Sequence, residues 1–415
     1  MGSSLLDGIR VVDLTHVMAG PTCTQLLSDL GAEVIKVERL PEGDDSRRSV
    51  PPTFRGPNGA EESAAFCIMN RGKRGLALDL KTEGGKRVLG RLLDRADVLV
   101  ENYRVGTLDR LGFGWPQVQK RWPKLVYCSI TGFGRTGPYA QKGGFDLVAQ
   151  AMSGIMSITG TSRGEPPVKC GPPLTDIGAG MLAAVGILAA LVERARTGRG
   201  RLVETSLFEA GILFTFWQSA IALATGTAPG PLGSAHPLSA PYEAFPTADR
   251  RWIVVGGANQ ANWRRLCAIL DAPALADDPR FSTNAARMAN LGELRAILAD
   301  LFRRRPAAEW LARLDEAGVP AGPVNDITEM LADPQTRARK MVVEVEHVSL
   351  GRIPTLGCPI KVEGAETGPR KGPPRLGEDT VAILEECGFA PAEIELLFAE
   401  GAVASPDRPN PSRPA

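Results

Sequence analysis

The sequence has little of what several classes of protein require. Its three histidines are scattered and its seven cysteines form no C-x-x-C pair, so we expect no zinc site and reduced thiols. The 48 basic and 47 acidic residues leave a net charge of +1, which argues against binding of nucleic acid through bulk charge. The longest uncharged run, Ile177–Val192, is shorter than the ~20 residues of a membrane span and predicts a buried core helix. No basic, apolar leader opens the chain, so we expect a cytoplasmic protein.

Alternating strand-like and helix-like segments fill the first third of the chain. Runs of β-branched apolar residues are separated by segments with helical spacing. This order predicts a largely parallel, doubly wound α/β sheet. The predicted strands are 9–15, 34–39, 75–80, 97–101, 125–132 and 202–206, and the predicted helices are 21–30, 82–95, 145–153 and 176–196.

The middle of the chain has a different pattern. Residues 207–225 predict one helix, and the Gly-, Pro- and Ser-rich stretch 229–241 predicts a loop. A predicted hairpin and three helices then indicate a small α+β domain. The hairpin strands are 242–246 and 252–256, the helices are 260–270, 291–302 and 307–317, strands return within 341–362, a helix follows at 377–387, and the tail 405–415 is predicted to be disordered.

Basic residues recur near the predicted strand ends and suggest a phosphate-bearing ligand. In an open α/β sheet the ligand lies beyond the carboxyl ends of the strands. Residues 16–21 lead into a helix N-terminus, which favours phosphate, and His16 is a candidate base or phosphate contact. There is no G-x-G-x-x-G fingerprint, which disfavours a nicotinamide oxidoreductase. The recurring cations are Arg39, Lys73, Arg74, Lys81, Arg104 and Arg110.

Asp176 is the acid that most suggests chemistry. It stands at the start of the predicted buried helix, where the helix dipole should keep it ionised and available as a nucleophile. The small residues 178–180 would let a substrate approach closely. From the residues alone, an ordinary helix N-cap is the simpler interpretation.

Seven segments occur in order along nearly the whole chain. They are LDGIRVVDLTHVMAGP (6–21), LGAEVIKVER (30–39), NRGKRGLALDLK (70–81), DVLVENYRVGTLDRLGF (97–113), GFDLVAQAMSG (144–154), PLTDIGAGM (173–181) and RARTGRGRLVETSL (194–207). With these segments the chain resembles the class III CoA-transferases, the family of formyl-CoA:oxalate CoA-transferase. Within that family it looks most like the succinyl-CoA:glutarate type, on the residues PEGDDSRR (41–48), GSAHPLSAPYEAF (233–245) and GVPAGPVND (318–326).

The resemblance implies a domain layout and a set of partners. Residues 1–205 and 340–400 would form a Rossmann-like CoA-binding domain, 206–240 a linker helix and loop, and 241–330 the small α+β domain. Two chains would interlock like linked rings into a homodimer. Acyl-CoA and a carboxylic acid would be the substrates, with no prosthetic group, metal, nucleic acid or membrane partner.

The resemblance also implies a reaction. Asp176 matches the family nucleophile, which takes CoA from an acyl-CoA, succinyl-CoA in the glutarate type, and passes it to a free acid, here a dicarboxylate. The intermediates would be an aspartyl anhydride and an aspartyl-CoA thioester. Positions that match CoA contacts of the family are His16, Val17, Met18 (often Gln in relatives), Arg39, Leu78, Lys81, Asn102, Tyr103, Arg104, Arg110, Lys142, Phe145 and Asp146.

Acceptor contacts are suggested by charge and by loop position. Arg47 or Arg48 could clamp a second carboxylate. Gly233 and His236 lie in a loop that could shield the site or donate hydrogen bonds.

Three alternatives stay open at this point. An α-methylacyl-CoA racemase would need a histidine where this chain has Phe145, which cannot exchange a proton. An intramolecular transferase acting within one C4 or C5 diacid would keep Asp176. An acyl-CoA-binding protein without catalysis would tolerate loss of Asp176, which is present in a well-matched motif.

Overall fold

The computed structural model describes residues 4–48 and 52–409. The strands are β1 (Arg10–Asp13), β2 (Glu33–Glu38), β3 (Thr53–Arg55), β4 (Glu61–Ser63), β5 (Arg74–Leu78), β6 (Val98–Glu101), β7 (Val126–Thr131), β8 (Leu202–Ser206), β9 (Tyr242–Pro246), β10 (Trp252–Gly256), β11 (Ala321–Pro323), β12 (Val342–His347), β13 (Gly351–Leu356) and β14 (Val403–Ala404). The helices are α1 (Ala19–Asp29), α2 (Ala64–Asn70), α3 (Glu83–Leu93), α4 (Thr107–Leu111), α5 (Trp115–Arg121), α6 (Asp146–Met152), α7 (Ile155–Ile158), α8 (Leu174–Thr197), α9 (Leu207–Phe214), α10 (Phe216–Thr225), α11 (Gln260–Ile269), α12 (Asn284–Ala289), α13 (Leu291–Phe302), α14 (Ala307–Glu316), α15 (Ile327–Ala332), α16 (Pro334–Ala338), α17 (Thr380–Glu386) and α18 (Pro391–Ala399).

A seven-stranded sheet organises the chain, in the order β14-β5-β2-β1-β6-β7-β8. Within this order, β5, β2, β1, β6, β7 and β8 each pair in parallel with their neighbours. The short β14 pairs antiparallel with β5 at one edge of the sheet. Numbered along the chain, the parallel strands follow the order 3-2-1-4-5-6 of a doubly wound sheet, so the order reverses between β1 and β6. The predicted α/β sheet is confirmed, with small shifts in the ends of its strands.

Helices cover both faces of this sheet because its strands are apolar on both sides. On one face α1 and α8 pack on residues such as Val11, Val98 and Cys128. On the other, α3, α17 and α18 pack on residues such as Val12, Leu76 and Leu99. The predicted core helix is α8, which buries a face of small residues and ends at Gly198 in the left-handed conformation. By length and apolar composition α8 could also cross a membrane.

The chain divides into two compact units. The larger comprises residues 1–153, 170–214 and 334–415, and the smaller comprises 154–169 and 215–333. The smaller unit contains the predicted hairpin β9–β10, extended by β11, around a core that includes Trp263 and Trp310. Its boundaries differ from the predicted ones, since α9 belongs to the larger unit and residues 215–240 to the smaller.

Two local predictions need correction. The single helix predicted over 207–225 is broken at Thr215, which leaves the helical conformation and separates α9 from α10. The predicted disordered tail starts with a turn in which Ser405 and Arg408 exchange backbone hydrogen bonds. The Arg408 guanidinium also pairs with Glu395 and lies over the ring of Phe398. Residues 410–415 of that tail lie outside the described residues.

A fully buried arginine holds the smaller unit together. Arg287 donates from Nε to the carbonyl of Ala240 (2.6 Å) and from its terminal nitrogens to the carbonyls of Phe281 (3.0 Å) and Ala258 (2.8 Å). No carboxylate in residues 4–48 and 52–409 pairs with it, and it lies over the ring of Trp263. One side chain therefore satisfies backbone groups from three segments.

Replacing this arginine should destabilise the protein without touching the larger unit. We expect Arg287→Met to lower the free energy of unfolding by about 3 kcal/mol, because three buried carbonyls lose their donors. Thermal and urea unfolding would measure it, with the exposed Arg303→Met as control. Equal stability of the two variants would show that Arg287 does not tie these segments together.

Candidate functional site

A cleft of about 260 Å³ opens in the larger unit at the carboxyl ends of β1, β6 and β7. This is where the strand order reverses, the usual ligand position in such sheets. Its walls are the loop after β1, the loop after β6, the end of β7 and the loop before α6. The lining residues are His16, Val17, Met18, Ala19, Asn102, Tyr103, Arg104, Val105, Ile130, Thr131, Gly132, Ala140, Gln141, Lys142, Gly143, Gly144, Phe145, Asp176 and Leu207.

The loop after β1 starts from a buried aspartate. Asp13 accepts hydrogen bonds from the backbone N–H of Thr15 (2.9 Å), from the hydroxyls of Thr15 (2.5 Å) and Thr24 (2.6 Å), and from Lys73 Nζ (3.0 Å). Burial alone would raise the pKa of Asp13, but Lys73, Lys36 and the two hydroxyls hold that pKa well below its usual range. Asp13 is thus a fixed anion that shapes the turn.

A second buried ion pair fixes the next residues of the same loop. Lys36 Nζ donates to Asp44 (2.7 Å) and to the carbonyl of Thr15. Asp44 in turn accepts from the backbone N–H of Val17 (3.1 Å). Val17 has φ = 61°, a left-handed conformation that is unfavourable for a β-branched side chain. The Lys36–Asp44 pair therefore compensates for strain in the wall of the cleft.

The loop after β6 is tied to the loop after β1. Asn102 accepts from the backbone N–H of His16 and donates to the His16 carbonyl, both at 2.9 Å. Glu101, 5% exposed, accepts from the backbone N–H of Tyr103 (2.8 Å). The ring of Tyr103 meets that of His16 edge-on at 5.3 Å. These contacts join the two strand ends on either side of the reversal point.

Two glycines bring the remaining wall close to the sheet. A Cβ on Gly132 would lie 2.6 Å from the Cα of Gly144, and a Cβ on Gly144 would lie 2.4 Å from the Cα of Gly132. Real Cβ atoms do not approach this closely. The loop before α6 can therefore lie against the end of β7 only with glycine at both positions.

Asp176 lies in the first turn of α8 and lines the cleft. The preceding Thr175 donates to Asp146 from its backbone N–H (2.9 Å) and its hydroxyl (2.7 Å). Gln150 Nε2 donates to the other Asp146 oxygen (2.7 Å). Asp146 therefore caps the start of α8, and it is not among the residues that line the cleft.

The environment of Asp176 differs from the one its helix position suggested. In the described part of the chain no group donates a hydrogen bond to its carboxylate. Burial, and secondarily the negative charge of Asp146, raises the pKa of Asp176 to about 7. The expectation that the helix dipole keeps Asp176 fully ionised is therefore wrong near neutral pH.

The cleft is lined by nine residues of the predicted site: the predicted nucleophile Asp176 and eight of the predicted CoA contacts. The others lie elsewhere. Leu78 is buried in the core, Arg39 pairs with Asp45, and Lys81 and Arg110 are exposed outside the lining set. Gly233 and His236 belong to the smaller unit, where His236 lies between the rings of Trp217 and Tyr242. The nine that line the cleft are His16, Val17, Met18, Asn102, Tyr103, Arg104, Lys142, Phe145 and Asp176.

Two of the recurring basic residues are structural. Lys73 and Arg74 stand at the amino end of β5, opposite to the end where a ligand binds. Lys73 is completely buried against Asp13, and Arg74 pairs with Glu33 and Glu386. The interpretation of these two as phosphate contacts is wrong.

Arg47 is also structural, and its proposed role as a substrate clamp is not supported. Its guanidinium makes a two-pronged contact with the buried Glu38 (2.7 and 2.8 Å), pairs with Glu62 (2.9 Å) and lies 3.6 Å from the ring centre of Phe66. Arg48 is exposed and pairs with Asp45, and its role in substrate binding stays a prediction.

Several residues of the site carried no readable signal. Asp44 and the pair Gly132 and Gly144 act through partners in other segments of the chain. The signal that existed was local: Asp13 and Glu101 each end a strand and accept the N–H two residues later, an arrangement typical of carboxylate-capped turns.

The fold and the cleft define an α/β protein with its ligand site at the switch point of a doubly wound sheet and one half-buried carboxylate among the described lining residues. The sequence model of CoA-transferase family III matches residues 6–380. The chain belongs to this family, as the resemblance indicated.

Relatives named for their activities, and a solved structure, are similar to this chain over most of its length. The chain is 41% identical to a succinate–glutarate CoA-transferase of Agrobacterium fabrum and 40% identical to an acetyl-CoA:oxalate CoA-transferase of Acetobacter aceti. Each alignment covers 92% of this chain and 95% of the relative. A crystal structure of a CAIB/BAIF family protein from Brucella suis matches with a TM-score of 0.83 and 39% identity, covering 93% of this chain and 100% of that one.

The raised pKa of Asp176 predicts a stability difference that grows with pH. In the folded protein Asp176 binds its proton more tightly than in the unfolded chain, so folding loses stability as pH rises from about 4 to about 7. Asp176→Asn cannot ionise. We expect it to match the wild type below pH 4 and to be more stable by about 2 kcal/mol above pH 7, after a discount for partial exposure.

Urea unfolding at a series of pH values would measure this difference. The exposed Asp315→Asn serves as control and should show no such growing gap. A constant offset between Asp176→Asn and wild type from pH 4 to 8 would contradict the raised pKa.

The two neighbouring arginines predict contrasting stabilities. Arg47→Met leaves Glu38 buried without its cation, and we expect a loss of about 3 kcal/mol of unfolding free energy. Arg48→Met removes only an exposed pair and should cost less than about 0.5 kcal/mol. If Arg47→Met kept wild-type stability and instead raised the KM of an acid substrate, the clamp hypothesis would be restored.

Proposed function

We propose that this protein transfers CoA from an acyl-CoA donor to a free carboxylic acid, with Asp176 as the nucleophile. The observation that carries the proposal is the half-buried Asp176 carboxylate, to which no described residue donates a hydrogen bond, in a cleft at the switch point of the sheet. Such a carboxylate is poorly solvated, and desolvation is what a weak oxygen nucleophile needs in order to attack a thioester.

The reaction is a chain of four acyl transfers. Asp176 attacks the thioester carbonyl of the donor, the C–S bond breaks, and a mixed anhydride and CoA thiolate result. The thiolate attacks the aspartyl carbonyl of that anhydride, which frees the donor acid and leaves an aspartyl-CoA thioester. The acceptor carboxylate attacks this thioester and forms a second anhydride with release of CoA thiolate. The thiolate then attacks the acceptor carbonyl, which yields the new acyl-CoA and restores Asp176.

The donor we propose is succinyl-CoA and the acceptor is a dicarboxylate. Support comes from the Agrobacterium fabrum relative, which is named for succinate and glutarate. The Acetobacter aceti relative, of almost equal identity, is named for acetyl-CoA and oxalate. Overall identity therefore does not separate the two pairs of substrates, and substrate choice depends on residues in and around the cleft.

Two alternatives lead to different observations. A racemase needs a base beside the α-carbon, and Phe145, which lines the cleft and is 78% exposed, cannot supply one. An intramolecular transfer within one diacid would keep every step above but would not incorporate an added labelled acid.

The homodimer and the location of the protein also stay proposals. We propose a homodimer of interlocked chains in the cytoplasm, on the family resemblance. The apolar side chains that α8 and α9 leave exposed, among them Val185, Val192 and Leu213, offer a surface that a second chain could cover.

Covalent trapping tests the proposed function directly. The protein would be mixed with succinyl-CoA, treated with hydroxylamine or borohydride, and mapped by mass spectrometry. We expect an adduct on Asp176, absent from Asp176→Asn and retained in Asp315→Asn, with a yield that rises with pH through about 7 as the carboxylate ionises.

The competing outcomes are distinct. An adduct on another residue, or no adduct with any of a panel of acyl-CoAs, would show that Asp176 is not the nucleophile. Deuterium uptake at the α-carbon of the acyl group would then indicate a racemase. Failure of a labelled free acid to enter the product, with the adduct present, would indicate an intramolecular transfer.

A further inference from the structure

A second concave surface of the larger unit lies away from the reaction cleft. It is a groove of about 640 Å³ between the end of α16, β12 and the loop 357–370, and we call it the basic groove. It shares no lining residue with the reaction cleft. Helix α1 begins at the cleft with Ala19 and ends at Asp29, whose carbonyl accepts from the backbone N–H of Gly368 in the groove wall (2.8 Å). The two sites are therefore separated by about 16 Å of helix.

Four cations line the basic groove, and in the described part of the chain none of them forms an ion pair. The lining acids are fewer: Glu344 Oε2 lies 3.8 Å from Arg352 Nη1, and Glu366 has no ion pair among the described residues. The buried Asp29 contacts the loop but is paired with Arg71 (2.6 Å), so its charge is already balanced. The groove therefore has a surplus of positive charge, although the whole chain has a net charge of only +1. The four cations are Arg339, Lys340, Lys361 and Arg370.

Lys340 is held in a strained conformation in the groove wall. Its φ of 51° is left-handed, which is unfavourable for a residue with a Cβ atom. Its backbone N–H donates to the carbonyl of Arg337 (2.9 Å), and a Cβ on Gly357 would lie 1.9 Å from the carbonyl oxygen of Lys340. The chain thus places a charged side chain where glycine would fit at lower cost. Strain of this kind concentrates at functional sites.

The loop 357–370 is fixed by its own hydrogen bonds. Lys361 Nζ donates to the carbonyl of Cys358 (2.6 Å), and the hydroxyl of Thr367 donates to the carbonyl of Ile360 (2.9 Å). The contact of Gly368 with the end of α1 ties the loop to the core of the unit. The ammonium group of Lys361 is therefore held in place before a ligand binds, which lowers the entropic cost of binding an anion.

Apolar side chains share the lining of the basic groove with the cations. Its volume lies within the range of ~300–1,000 Å³ that is usual for small-molecule sites. Lysine and arginine together are the side chains that bind phosphate groups, and the apolar residues offer a surface for a ring system. The apolar lining residues are Val343, Cys358, Val362, Ala365 and Pro369.

We propose that the basic groove binds a small molecule of nucleotide type, with its phosphates on Lys340, Lys361 and Arg370 and its ring system against the apolar residues. Two sources offer this chemistry: a free nucleoside polyphosphate, or a second molecule of CoA, which carries a phosphorylated nucleotide of its own. The proposal does not depend on the transferase activity, because the groove contains neither Asp176 nor any other residue of the cleft.

Calorimetry on the full chain tests the proposal. CoA would be titrated alone to count its sites per chain. ATP, pyrophosphate and adenosine would then be titrated with and without saturating CoA, which occupies the reaction cleft. The variants are Lys361→Met, Arg370→Met and Arg370→Lys, and the control is Arg199→Met, which removes an exposed cation outside the groove. Thermal unfolding would show that each variant is folded.

For a nucleoside polyphosphate, we expect ATP and pyrophosphate to bind once per chain at saturating CoA, with a Kd below about 1 mM, and adenosine not to bind. Each Met variant should raise this Kd about tenfold or more, because a charge-assisted contact to phosphate is lost. Arg370→Lys should recover part of the loss, since it keeps the charge, and Arg199→Met should change nothing.

For CoA as the ligand, we expect two CoA sites per chain, of which the Met variants weaken one. ATP would then bind only in the absence of CoA, again with weaker binding in both Met variants. The Kd of the other CoA site should stay unchanged in these variants, since none of their positions lies in the reaction cleft.

A single CoA site per chain that both Met variants leave within twofold, with no binding of ATP or pyrophosphate at saturating CoA, would overturn the proposal. Binding of ATP that persists but changes less than twofold in both Met variants would overturn it as well. The proposed function fails by a different result, the absence of an adduct on Asp176. In that case the titrations with ATP and pyrophosphate still report on the basic groove, because they need no catalysis.

Discussion

The cleft depends on four charges buried at the end of the first strand. Asp13, Lys36, Asp44 and Lys73 are each completely shielded from solvent. They form two ion pairs, Asp13 with Lys73 and Asp44 with Lys36, which also hydrogen-bond to the loop above. Removal of one would leave its partners buried without compensation, which is far more costly than any single exposed ion pair. Together these four charges hold the loop in a strained conformation at Val17 before any ligand binds. The ligand therefore does not have to supply the free energy that orders this wall.

Two aspartates of the larger unit show how the surroundings decide what a carboxylate does. Asp13 accepts four hydrogen bonds and has two lysines nearby, so it stays charged and holds structure. Asp176 is also withdrawn from water, but it has no donor among the described residues and faces the charge of Asp146. The first is stabilised as an anion and is chemically inert. The second is poorly stabilised as an anion near neutral pH, and the proposed role of Asp176 as nucleophile would use that property.

Sequence reasoning reached the parts of this structure that local pattern determines. The parallel sheet followed from alternating strands and helices, and Asp176 and the two loops around it followed from segments that resemble a family. It failed where a partner in another structural element decides whether a side chain is buried. In the sequence, Lys73 and Arg47 stand among polar residues as Arg104 does. In the structure, however, Lys73 and Arg47 are buried in ion pairs with Asp13 and Glu38. The break at Thr215 and the ionisation of Asp176 likewise depend on tertiary surroundings, which a linear pattern does not contain.

The route of the chain through the larger unit has a consequence for its synthesis. The core beneath α3 is completed by Ile383, Leu397 and Val403, and β14 closes the edge of the central sheet beside β5. These residues are synthesised long after β1, β2 and β5. During translation the first half of the sheet therefore has an unpaired edge and an uncovered apolar face. The smaller unit, by contrast, is almost continuous in sequence and can bury its core earlier. The unfinished sheet is therefore the part of the nascent chain with most need of a chaperone.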